Sequence, residues 1–207
     1  MPENLHKLFV ISSPSGGGKT SLINKLFEDS RSANFEKSIS DTSRQKREGD
    51  LEGKDYYFLS EKDFKDKIKK EEYVEYAIVF GNFYGTSKEE IKTKYNNSNL
   101  ILELDWQGAY SVKELFDDAK LIFLVPPSLD DLKQRLIKRN LDSSEAIENR
   151  LSEAKKEISK SEMYDYLVLN DDFDKAFEDL SQILFEGISP IDFNSRASKD
   201  LIKRLVE

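Results

Sequence analysis

A lysine and a hydroxyl placed directly after consecutive glycines can bind a polyphosphate, and this chain carries them in Ser13-Pro14-Ser15-Gly16-Gly17-Gly18-Lys19-Thr20. A glycine-rich turn lets successive backbone N–H groups converge on phosphate oxygens, and a helix amino terminus adds its positive dipole end. Lys19 then supplies a point charge and Thr20 a Mg²⁺ ligand, so the expected substrate is a nucleotide. The strict pattern has glycine where Ser13 stands, while Gly18, Lys19 and Thr20 match it. The competing reading is an ordinary strand-to-helix turn with a solvated lysine.

Two further clusters could meet an anionic substrate. Residues 38–50 pack hydroxyls with Arg44 and Arg47, and guanidinium forks with hydroxyls suit a phosphate monoester. The alternative is a solvated loop whose arginines pair with Asp41, Glu48 and Asp50. Arg135 and Arg139 stand at i and i+4 on an expected helix, with Arg150 further along, and like charges so placed repel unless an anion lies against them. A carboxylate also closes the apolar run Leu100-Ile101-Leu102-Glu103-Leu104-Asp105. Asp105 is the candidate to organise Mg²⁺ beside Thr20; its alternative role is the N-cap of a following helix.

Composition narrows the chemistry. With 32 basic and 40 acidic residues the net charge is −8, which argues against broad nucleic-acid binding and demands a local basic cluster for any anion. A single histidine, His6, and no cysteine disfavour a Ser-His-Asp triad, thiolate metal sites and disulfides. Phosphoryl transfer, which relies on positioning and charge stabilisation, fits this inventory. Neither a secretory signal nor an apolar run of about 18 residues is present, so the expectation is a cytoplasmic protein without membrane partners.

The elements that must position these groups are legible as apolar runs at residues 8–11, 100–104, 121–125 and 166–169 separated by helical patterns. That alternation predicts an α/β fold with a parallel sheet flanked by helices. Ser60 with Asp63, Ser87 with Glu90 and Ser128 with Asp131 mark helix starts. Nine of the 23 aromatic residues fall in residues 56–84, where alternation through Tyr73-Val74-Glu75-Tyr76-Ala77 predicts antiparallel strands. Residues 38–86 are therefore read as an inserted subdomain with a small aromatic core. Residues after Pro126-Pro127 suggest a mobile helical arm, and the last twenty or so carry no readable signal.

Taken in order, these blocks resemble the guanylate kinase family: residues 13–20, 40–50, Gly53-Lys54-Asp55-Tyr56, Tyr84-Gly85-Thr86, Leu104-Asp105-Trp106-Gln107-Gly108, 135–150 and 166–172. The resemblance implies a P-loop core that binds ATP (1–37, 87–126 and 156–207), a mixed α/β GMP-binding subdomain (38–86) and a helical lid (127–155). It implies transfer of the γ-phosphoryl of ATP to GMP, with Mg²⁺ accompanying ATP, within purine nucleotide metabolism.

By the same resemblance Ser40, Arg44, Arg47, Tyr56 and Tyr84 hold the GMP phosphate, and Glu75 and Thr86 read the guanine edge. Glu103 and Asp105 complete the GMP set. Lys19, Arg44, Arg139 and Arg150 stabilise the transferring phosphoryl, while residues 13–20, Arg135 and Asn170 contact ATP. Ser13, Lys46 and Asp50 depart from the usual small residue, Pro and Glu; the expectation is altered rates with activity kept. The rival from another class is a catalytically inactive, phosphopeptide-binding relative of these kinases, which usually lacks an intact phosphate loop. Oligomeric state is left open, a homo-oligomer included.

Overall fold

The computed structural model describes residues 6–79, 81–138, 144–189, 191 and 196–206. The chain opens with β1 (Leu8–Ser12), buried along its whole length, and passes through the glycine turn into α1 (Lys19–Glu28). A short edge strand, β2 (Phe35–Lys37), leads out of the core. Then come β3 (Asp41–Thr42), β4 (Tyr57–Phe58), α2 (Glu61–Lys69), β5 (Tyr73–Val79) and β6 (Asn82–Ser87). The chain returns through α3 (Lys88–Tyr95), β7 (Asn99–Glu103), α4 (Trp106–Leu115) and β8 (Lys120–Val125). It ends with α5 (Leu129–Lys138), α6 (Ser144–Ser159), β9 (Tyr166–Leu169), α7 (Phe173–Ser181) and α8 (Arg196–Val206).

The main sheet has the order β2-β7-β1-β8-β9, with every pairing parallel. Continuous apolar runs such as Leu8-Phe9-Val10-Ile11 form central strands because helices cover both faces. Alternate residues divide accordingly. Leu8, Val10, Leu102 and Phe123 join one cluster with Ile91, Val112 and Ile158; Phe9, Ile11, Ile101 and Leu124 join another with Leu22, Leu26 and Leu180. The expected parallel α/β core is present, and β2 joins the four strands read from the sequence at its edge. The tail contributes α8, whose Leu205 is buried in the first cluster.

Residues 41–87 form a second sheet of order β4-β3-β6-β5, with β6 antiparallel to both β3 and β5. Its core is aromatic, as expected: Phe64 of α2 is fully buried and stacks on Tyr73 at 4.5 Å and Phe83 at 5.2 Å. Asp41, buried at the start of β3, pairs with Lys67 and accepts from the Tyr73 hydroxyl at 2.7 Å. A buried carboxylate needs such partners, and they are Lys67 and Tyr73, not the arginines of the neighbouring loop. Ser60, Ser87 and Ser128 each accept from the backbone N–H three residues on, as expected of N-caps. Among the described residues no helix is long and apolar enough to cross a membrane.

Candidate active site

The glycine turn connects the carboxyl end of β1 to α1, the place where an open parallel sheet binds ligands. Gly16 and Gly18 have φ of 88° and 91°, the left-handed region that glycine enters without strain. The Gly17 N–H donates to the Pro14 carbonyl at 2.8 Å, closing the turn. A Cβ on Gly17 would sit 2.9 Å from that carbonyl and from the Ser13 Cβ, so the extra bulk of Ser13 is accommodated by the missing side chain opposite. α1 has no capping side chain and no acid in its first turn, which leaves its amino end open to an anion.

Lys19 is partly buried and its ammonium donates to the Leu104 carbonyl at 3.1 Å. Burial lowers its pKa, against the opposing pull of Glu103, Glu157 and Asp105. The Thr20 hydroxyl donates to Glu103 Oε1 at 2.7 Å, and Lys37 pairs with Glu103 Oε2 at 2.7 Å. Burial pushes the Glu103 carboxyl up, but those hydrogen bonds from Lys37 and Thr20 outweigh it, and the net shift is downward. Asp105 is the N-cap of α4, accepting from the Gly108 N–H at 2.9 Å. The capping role is thus present through one carboxylate oxygen, and the carboxylate that accepts from Thr20 is that of Glu103. Among the described residues there is no cluster of three or more metal-ligating side chains. Oxygen donors from Thr20 and Asp105 beside the glycine turn, with Glu103 behind Thr20, fit a hard cation that arrives coordinated by nucleotide phosphates.

In the polar loop Arg44 pairs with Asp50 at 2.9 Å, and the Arg47 N–H donates to the same carboxylate at 2.7 Å. Hydrogen bonding to Asp50 holds the Arg44 guanidinium firmly charged. Its carbon lies 5.5 Å above both the Tyr56 and Phe58 rings, and Tyr56 meets Tyr84 edge-on at 5.6 Å. Arg44, Tyr56 and Tyr84 are thus assembled; the Arg47 side chain is exposed, and Ser40 is held through its carbonyl, which accepts from the Tyr57 N–H. Burial raises the Tyr56 phenol, which also senses the Glu103 charge from the other sheet. Lys46 lies 5.7 Å over Phe58.

The Thr86 hydroxyl, fully buried in β6, donates to Glu75 Oε1 of β5 at 2.7 Å. Burial pushes the Glu75 carboxyl up, the Thr86 hydrogen bonds pull it back, and Asp105 adds repulsion. A Cβ on Gly108 would stand 3.0 Å from Glu75 Cγ, so α4 approaches β5 closely only because this position is glycine. A cleft of about 400 Å³ opens there, lined by Glu75, Tyr76, Asp105 and Gly108 among others.

α5 lies against the turn: a Cβ on Gly16 would meet Leu136 Cδ2 at 3.1 Å and Leu132 Cδ1 at 3.2 Å. Arg135 donates to the Asn170 carbonyl at 2.8 Å, and the Asn170 amide donates to the Gly17 carbonyl at 2.7 Å. Arg150 of α6 reaches Ser15 Oγ at 3.5 Å. Arg139 lies outside the described residues. Two groups near the turn have no sequence signal of their own, Lys37 and Glu157. Burial pushes the Glu157 carboxyl up to about 7, with Lys19 opposing.

Residues 5–187 match the family model described as guanylate kinase. The chain belongs to the guanylate kinase family. It is 46% identical over 184 residues to the guanylate kinase of Wolbachia sp. subsp. Brugia malayi (strain TRS), covering 88% of this chain and 93% of that protein. Identity to the guanylate kinase of Hahella chejuensis (strain KCTC 2396) is 48% over 178 residues, covering 86% and 85%. The fold is similar to the crystal structure of guanylate kinase from Anaplasma phagocytophilum, with a TM-score of 0.68 and 31% identity across 99% of this chain and 98% of that one. Within this guanylate kinase chain the candidate residues are distributed over both sheets, with Glu103 acting on Tyr56 and Asp105 on Glu75 across the space between them.

Proposed function

We propose that this protein transfers the γ-phosphoryl group of ATP to GMP, giving ADP and GDP. The observation that carries the guanine assignment is the carboxylate of Glu75, partly buried and fixed by Thr86 beside Asp105. Glu75 accepts from the guanine ring N–H and exocyclic amine. Adenine offers no such donor pair, and the unpaired carboxylate then penalises AMP.

In the transfer step an oxygen of the GMP phosphate bonds to the γ-phosphorus while the bond to the bridging β–γ oxygen breaks, and ADP leaves with that electron pair. Arg44, flanked by Tyr56 and Tyr84, holds the acceptor phosphate with Ser40 and Arg47. Lys19, poorly solvated and therefore strongly attracted to anions, stabilises charge on the phosphates with Arg150 and Arg139. The turn residues 13–20 cradle the donor, and Arg135 and Asn170 hold α5 against it. When bound with ATP, Mg²⁺ would draw charge from the phosphoryl oxygens, and Thr20 and Asp105 are the residues that would hold it, with Glu103 accepting the Thr20 proton from behind. α5 and α6 form a lid over the turn that excludes water and protects ATP from hydrolysis.

The test is ADP production from ATP and Mg²⁺ with GMP, AMP, CMP or UMP as acceptor. Turnover with GMP alone is expected. Turnover with another monophosphate would overturn the role of Glu75, and silence with all four would return the phosphopeptide-binding module.

A further inference from the structure

Among the described residues each Glu103 carboxylate oxygen has one hydrogen-bond partner: Oε1 accepts from the Thr20 hydroxyl and Oε2 from the Lys37 ammonium, both at 2.7 Å. The other lysine nearby is turned elsewhere, since Lys19 donates to the Leu104 carbonyl. Lys37 is therefore the cation that fixes Glu103. Sheet register brings the two together: Lys37 of β2 stands opposite Ile101 of β7, and Glu103 lies two residues further along β7 on the same face. α1 packs on that face, with Leu22 and Ile23 against Phe9, Ile11 and Ile101, and it carries Thr20 in its first turn.

The backbone that delivers Lys37 is itself held. Its carbonyl accepts from Lys94 Nζ at 2.8 Å, and Lys94 is anchored by Glu90 at 2.8 Å. The adjacent Ser38 N–H donates to the Ile101 carbonyl at 2.9 Å. The Lys37 side chain is 40% exposed, and an ion pair so placed adds little to stability. What it does is directional. A hydroxyl has one proton and two acceptor lone pairs, so a Thr20 proton committed to Glu103 leaves the lone pairs facing away from that carboxylate.

We propose that Lys37 is a positioning residue, fixing Glu103 so that Glu103 holds the Thr20 proton and turns the Thr20 lone pairs toward a nucleotide-bound Mg²⁺. The proposal rests on the phosphotransferase reading above. Partners of this outer kind orient the groups that touch a metal, and their loss typically weakens metal affinity about tenfold or more. Glu103 without Lys37 is free to rotate about its last torsion and to release Thr20.

The experiment is calorimetric titration of the full-length protein with ADP, once with Mg²⁺ and once with chelator, in wild type, Lys37→Met and Lys37→Arg. The gain in ADP affinity on adding Mg²⁺ is the quantity read. Lys37→Met is expected to reduce that gain by about tenfold while ADP affinity in chelator and GMP affinity stay within about twofold. Lys37→Arg is expected to keep most of the gain, because a guanidinium also bonds a carboxylate. A gain in Lys37→Met equal to or larger than that of wild type would overturn the proposal. Lys37→Gln repeats the comparison should Lys37→Met melt lower than wild type. Wild-type protein with no Mg²⁺-dependent gain and no GMP phosphorylation would instead remove the underlying reading, so the two failures are separable.

Discussion

The side-chain amide of Asn170 donates to the Gly17 carbonyl at 2.7 Å, at a point only 2.4 Å from where a Cβ on Gly18 would stand. Asn170 is buried beyond the end of β9; its own N–H bonds the Val125 carbonyl, and its carbonyl accepts from Arg135. One residue thus ties the main sheet, the glycine turn and α5 together. Replacing it with alanine leaves the Gly17 carbonyl without its partner at a cost of about 1 to 3 kcal/mol. Asn170→Ala is expected to melt lower and to raise the KM for ATP several-fold, while GMP affinity measured without ATP is unchanged. An unchanged ATP KM would show that the turn holds its shape without this clamp.

Gly18→Ala combines two penalties, a left-handed φ of 91° and the contact with Asn170. The double variant Gly18→Ala with Asn170→Ala relieves only the second. Phosphoryl transfer is expected to be lost in the single variant and to stay low in the double one. Full recovery in the double variant would assign the whole effect to crowding.

Glu75→Gln keeps the size of the side chain and its bond from Thr86, yet turns an acceptor-only carboxylate into an amide that presents N–H groups to the guanine donors. Hydrogen bonds to charged groups are worth about 1.5 to 3 kcal/mol, so kcat/KM for GMP is expected to fall roughly tenfold to a hundredfold. The KM for ATP should stay within about twofold, since the phosphate turn is untouched. Steady-state kinetics with each substrate varied in turn separates the two, and an equal loss for both would contradict the guanine-reading role.

What the sequence makes legible is local. β1, β7, β8 and β9 are continuous apolar runs, and Gly18-Lys19-Thr20 is a contiguous pattern whose spacing carries its chemistry. β2, by contrast, is only Phe35-Glu36-Lys37 on a sheet edge, too short and too polar to show a period. Lys37 and Glu103 are 66 positions apart and meet only through strand pairing. Asp105 is ambiguous in the sequence because one residue type serves both as a metal carboxylate and as an N-cap, and only the fold shows its bond to Gly108. Glu157 looks like any other acid on a charged helix, and its position near Lys19 depends on how α6 packs.

Arg44 lies between an Asp50 carboxylate and two aromatic rings, and only a planar guanidinium can satisfy both environments. Arg44→Lys keeps the charge but loses the fork and the stacking. The expected result is a rise of about tenfold or more in the KM for GMP, with ATP binding preserved as measured by calorimetry. A KM close to wild type would mean that charge alone is what the acceptor phosphate requires.

Glu157 gives a prediction in pH. Burial raises its carboxyl from an ordinary value near 4.5 to about 7; Lys19 draws it down, while Asp105 and Glu153 push it up. The folded protein therefore holds this proton more tightly than the unfolded chain does. A raised carboxyl stabilises the fold fully below the unfolded value and loses that contribution as pH rises through about 7. Above that, the fold bears the cost of a poorly solvated carboxylate. Glutamine stays neutral throughout, so Glu157→Gln should be more stable than wild type at pH 8, by about 1 to 3 kcal/mol after allowing for the lost attraction to Lys19. For a chain of this size that is a rise of roughly 2 to 10 °C in Tm. The advantage should be nearly constant above about pH 7 and shrink as pH falls from there to pH 5, where wild-type Glu157 is protonated in the folded state. Scanning calorimetry of both proteins across that range is the check: a gap that stays constant with pH would show that the substitution acts through packing and that the carboxyl titrates normally.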